Sequence, residues 1–125
     1  MDVKLGDIFA VVAGNCCYLE AIYYNGEMVL KSLIQRSTPP FPTPSDFRPD
    51  DLVFKGNCYK NPELRELYKC VMEVNKWIHY QQYFKIPQTA LYKQALEVWE
   101  SNVRKIPDGS PLKSEYYYYL RMKKL

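Results

Sequence analysis

The sequence has no apolar run long enough to cross a bilayer as a helix. Its five glycines stand alone at turn-like positions, so no glycine-rich phosphate loop is present. It has a single histidine, His79. That excludes the common zinc patterns, because the four cysteines (16, 17, 58 and 70) form no C-x-x-C pair to join it. A cysteine–histidine dyad would need His79 beside a thiol brought in from another part of the fold. The adjacent carboxylates Asp50 and Asp51 follow a proline. Glu97 and Glu100 fall on the polar side of an expected helix. Neither pair departs from ordinary solvated charge. The sequence therefore assigns no catalytic residue, metal or cofactor, and the expectation is a protein that binds without catalysis. The opening MDVKLGDIFAVV lacks a basic leader followed by an apolar core and a small-residue cleavage site. The cytoplasm is the expected location, or the host cytoplasm if a virus encodes the chain, with no membrane partner. The cysteines are expected to be reduced thiols.

What is present is an apolar share of 47% and twelve tyrosines in 125 residues. That is the composition of one globular domain rich in side chains that suit half-buried sheets and interfaces. The net charge of +3 is unevenly spread. From Arg104 onward six basic and two acidic residues give +4, which leaves −1 for the rest. This is well short of the basic excess of a dedicated DNA binder.

Residues 1–35 read as an antiparallel meander. Asn25-Gly26 predicts a two-residue type I′ hairpin turn, and Gly14-Asn15 predicts a type II′ turn. The first turn sets Glu20 opposite Lys31. The second sets Ile8 opposite Ala21, Ala10 opposite Leu19 and Val12 opposite Cys17. Together they gather Ile8, Ala10, Leu19, Ala21 and Leu30 on one nearly pure apolar face. The other face then carries Phe9, Tyr18, Ile22, Tyr24 and Val29 among Glu20, Glu27 and Lys31. A solvated face would be more polar. These five residues are therefore a candidate binding face, expected to be covered by the proline segment or by another chain.

Residues 36–51 hold a proline-rich run that can be neither helix nor central strand. Within it, Arg36, Pro39 and Pro42 form an R-x-x-P-x-x-P pattern, a candidate polyproline ligand. DLVFK (51–55) suits a short strand. Two amphipathic helices are expected within 61–105, about 62–82 and 90–105. Asn61 and Pro62 start the first, and Thr89 starts the second. Segment 113–125 is expected to hold a late strand over 115–123 and a basic tail. Period two puts Tyr116, Tyr118, Leu120 and Met122 on its core side. Tyr117, Tyr119, Arg121 and Lys123 make an exposed stripe, a second candidate site.

The expected fold is α+β: an antiparallel meander of four or five strands, two amphipathic helices on one face, and the late C-terminal strand. The expected function is occupation of another protein's surface, as inhibitors, immunity proteins and viral accessory factors do. A second copy of the chain is a further candidate partner. The alternative is a single-stranded nucleic-acid or nucleotide binder using the C-terminal stripe, where each base stacked on an aromatic is worth ~1–3 kcal/mol.

Overall fold

The computed structural model describes residues 2–11, 17–34, 39–80, 86–106 and 109–110. It is an α+β arrangement of an antiparallel sheet and two helices. The strands are β1 (Asp7–Val11), β2 (Cys17–Tyr24), β3 (Glu27–Ser32) and β4 (Leu52–Asn57), in the spatial order β3-β2-β1-β4. The helices are α1 (Glu63–Tyr80) and α2 (Ala90–Arg104). The strand expected over 115–123, with Tyr117, Tyr119, Arg121 and Lys123, lies outside the described residues, as does Arg36. Among the described residues, no helix is long and apolar enough to cross a membrane.

The β2–β3 hairpin forms as the sequence predicts. Asn25 (φ 51°) and Gly26 (φ 76°) both take the left-handed conformation of a type I′ turn. Glu20 pairs with Lys31, and Ala21 with Leu30. The β1–β2 register differs by one residue from the expected one. Ile8 is opposite Glu20, Phe9 opposite Leu19 and Val11 opposite Cys17. A one-residue slip moves every side chain of a strand to the other face. Phe9 thus leaves the Tyr18 face and joins Leu19, Ala21, Leu30 and Leu52 in one buried cluster, with Phe47 of the proline segment packed against it. Ile8 takes the opposite course and lies in the cluster of Tyr18. The five residues expected on one binding face are therefore split, with Phe9 on one side and Tyr18, Ile22, Tyr24 and Val29 on the other.

The helices start where the sequence places their caps. The Asn61 side chain accepts the Glu63 amide at 3.3 Å, and the Thr89 hydroxyl accepts the Tyr92 amide at 3.3 Å. Val71, Val74 and Ile78 of α1 and Ala95, Trp99 and Val103 of α2 are buried in the larger core cluster, together with Ile8 and Tyr18. The Trp99 indole N–H donates to Asn75 Oδ1 at 3.0 Å, tying α2 to α1.

Both helices reach the sheet through Tyr18. Its ring stacks on Tyr68 of α1 with centroids 4.4 Å apart. Its hydroxyl accepts the Asn102 amide of α2 at 2.7 Å. The cover over Tyr18 is thus helical, where the sequence suggests the proline segment or a second chain.

Candidate functional site

Glu20 lies mid-strand on the Tyr18 face and is buried. A carboxylate held there must be paired, since an unpaired buried charge is expensive. The partner is Arg65, in the first turn of α1. Its Nε donates to Glu20 Oε1 at 2.6 Å and a terminal nitrogen donates to Oε2 at 2.8 Å. This is the two-pronged fit of guanidinium to carboxylate. Arg65 also reaches the Cys58 sulfur at 3.0 Å. The Glu20 hydrogen bond pushes the Arg65 pKa further above its already high value, so the guanidinium stays charged. Burial pushes the Cys58 thiol up, with the Glu20 charge adding to it and Arg65 opposing it.

Because Arg65 takes both carboxylate oxygens, Lys31 is left beside a carboxylate already occupied. Its ammonium stands 5.7 Å from the centre of the Phe41 ring, within cation–π range. Phe41 in turn meets Tyr24 edge to face at 5.1 Å. The backbone brings Phe41 there: the Leu30 amide donates to the Pro42 carbonyl at 2.8 Å, so the proline segment runs along the outer edge of β3. Pro39, exposed and joined to Pro40 by a cis bond, lies just before this contact.

Between β3 and α1 lies a cleft of about 350 Å³ whose lining includes Glu20, Ile22, Lys31, Ser32, Arg65 and Lys69. Among the described residues, three cations and one carboxylate line it. Lys69 has only a 3.9 Å approach to Glu66 on its own helix, a weak surface pair. The cleft therefore has spare positive charge next to an aromatic pair. That suits an anionic group with an apolar neighbour.

The sequence places Ile22 and Tyr24 in a site; Ile22 lines the cleft, and Tyr24 is linked to it through Phe41, which Lys31 also approaches. Tyr18 and Val29 are core. Pro42 is a docked connection through its carbonyl. Lys31, Phe41, Arg65 and Lys69 have no sequence signal as a group, because they come from a strand, a loop and a helix. Cys17, Cys58 and Cys70 are free thiols. Among the described residues, no three His, Cys, Asp or Glu side chains gather as metal ligands do. No known protein family, curated protein or solved structure matches the chain.

Proposed function

We propose that the chain is a non-enzymatic binding protein that occupies an acidic surface of another protein, in the manner of an inhibitor, immunity or accessory factor. The cleft between β3 and α1 supports this reading: among the described residues, Lys31, Arg65 and Lys69 stand there against the one carboxylate of Glu20. Tyr24 and Phe41 supply the aromatic contact area that recurs at the centres of interfaces, and arginine is enriched there too. An acidic side chain of the partner would enter the cleft and meet Lys31 and Lys69, with the guanidinium of Arg65 behind it. Two finer readings belong to the same proposal. The two helices form one layer on a single face of the sheet, a reading supported by the contacts of Tyr18 with Tyr68 and Asn102. A C-terminal strand, read from the sequence alone, carries Tyr117, Tyr119, Arg121 and Lys123 as a second contact stripe.

Affinity capture from the source cell tests the reading, with the wild-type chain beside a Lys31→Glu/Lys69→Glu variant of unchanged melting temperature. The expected result is one protein partner retained by the wild type and lost by the variant. Capture unchanged by the charge reversal would overturn the assignment of the cleft. Binding of a single-stranded oligonucleotide with a steep loss in salt would favour nucleic acid instead.

A further inference from the structure

The two edges of the sheet are finished differently. Along β3, the Leu30 amide is taken up by the Pro42 carbonyl. Along β4, no described residue pairs with the outer side of the strand.

Strand alternation tells which groups that edge leaves open. The Leu33 amide bonds the Tyr18 carbonyl at 3.2 Å. Even-numbered residues of β2 therefore turn their main chain to β3, and odd-numbered ones turn theirs to β1. Leu19 then exchanges bonds with Phe9, and Ala10 turns to β4, where it faces Val53. Leu52 and Phe54 are left with amide and carbonyl pointing outward. The side chains are open too: Val53 is 43% exposed and Phe54 58% exposed, and as strand neighbours they lie on opposite faces.

We propose that β4 pairs antiparallel with β4 of a second copy of this chain, about a two-fold axis at Val53. In that register Leu52 and Phe54 of each copy exchange main-chain bonds with Phe54 and Leu52 of the other. The four outward main-chain groups of Leu52 and Phe54 are then satisfied. Val53 meets its own copy on one face. On the other, Leu52 and Phe54 lie side by side and extend the apolar surface begun by Phe9, which already meets Phe54 edge to face at 5.8 Å. Asp51, the last residue of the turn leading into the strand, comes level with Lys55 of the other copy, the residue left without a partner where β4 bulges against β1 between Phe54 and Gly56, and by symmetry this happens twice. Asp51 Oδ2 holds the Arg48 amide at 3.1 Å, which leaves Oδ1 for the lysine. Moving the axis to Leu52 or to Phe54 loses both charge pairs. A lysine on a short edge strand is ordinarily a guard against pairing; here the two-fold gives it a carboxylate.

The arrangement is independent of the cleft, which lies toward the far edge of the sheet. Two clefts would stand on the order of 30 Å apart, given the usual strand spacing. A dimer would thus present them to a repeated or two-fold partner.

The contact is small, so the expected dimer is weak. Sedimentation equilibrium of the full chain over a concentration series should show monomer and dimer in exchange. Amide exchange should show Leu52 and Phe54 gaining protection with concentration, while Val53, bonded to Ala10, stays protected throughout. Lys55→Glu should raise the dissociation constant roughly tenfold or more by setting two carboxylate pairs face to face. Adding Asp51→Lys to it should restore association. Circular dichroism melts of each variant separate loss of pairing from loss of fold, since Asp51 also caps its own turn. A chain that stays monomeric at every concentration would overturn the proposal. So would a dimer indifferent to Lys55→Glu, a folded double variant that fails to recover, or a dimer whose Leu52 and Phe54 amides exchange freely.

Discussion

Arg65 grips both carboxylate oxygens of Glu20, at 2.6 and 2.8 Å, from a helix packed over the strand that carries the glutamate. The pair fixes α1 to the sheet. It also shapes the electrostatics of the cleft, since among the described residues it takes up the one carboxylate there and leaves Lys31 and Lys69 without it. Arg65→Ala leaves Glu20 buried without its partner. The arginine side chain is 40% exposed, so solvent offsets part of the loss. The expected cost is about 1–3 kcal/mol, below that of a fully buried pair. Arg65→Lys should recover only part of it, because an ammonium cannot make the two-pronged contact. Urea unfolding of the three proteins checks this, and equal stability of all three would contradict it.

Stability should fall on the alkaline side. Burial pushes up the Cys17 and Tyr68 pKa values. It is also the largest cause for Cys58 and Cys70. Tyr92 is raised chiefly by its hydrogen bond to Glu73. All five groups are neutral when protonated, and the folded chain holds those protons more tightly than the unfolded one. Their contribution is complete below the unfolded values, about 8.5 for thiols and about 10 for tyrosines. It is lost as pH rises through the folded values. Melting temperature should therefore hold through neutral pH, decline above about pH 8.5 and steepen above about pH 10. Tyr92→Phe should flatten the steeper part. A profile flat to high pH would refute the assignment.

The hairpin β2–β3 was legible because Asn25-Gly26 admits one turn type and the strands around it are apolar on alternate residues. The β1 register was not. Ile8 and Ala10 alternate with Phe9 and Val11, so both sides of the strand are apolar and pattern alone does not choose between them. What chooses is the third dimension: Arg65 and Tyr68 arrive from α1 to satisfy Glu20 and stack on Tyr18. Helix starts were legible from Asn61 and Thr89, whose caps are local. The cleft was not, because Lys31, Phe41 and Lys69 belong to three segments and meet only after folding.

Tyr18 joins three layers of contact, so its two halves can be separated by mutation. Tyr18→Phe keeps the stack on Tyr68 and removes the hydroxyl that accepts from Asn102. A loss of about 1 kcal/mol is expected, the usual size for one such bond. Tyr18→Ala also empties a fully buried site and should cost about 3–5 kcal/mol. Chemical denaturation gives both numbers. A Phe variant as unstable as the Ala variant would mean the hydroxyl, not the ring, carries the position.

Gly6 and Gly26 offer a comparison of backbone strain with crowding. Both take positive φ, 88° and 76°, where an L side chain is strained by roughly 1–2 kcal/mol. Around Gly26 a Cβ would meet nothing within 4 Å, whereas at Gly6 it would stand 2.2 Å from the Tyr59 ring. Gly26→Ala should therefore cost only the backbone term, about 1 kcal/mol. Gly6→Ala should cost more, about 2–4 kcal/mol, because the ring must leave its place as well. Tyr59 is 63% exposed, so removing its ring by Tyr59→Ala forfeits little packing. In that background Gly6→Ala should fall back toward the Gly26→Ala value. The four stabilities form a double-mutant cycle with an expected coupling of at least ~1 kcal/mol. No coupling would mean that Tyr59 swings aside freely and that the backbone alone requires glycine at position 6.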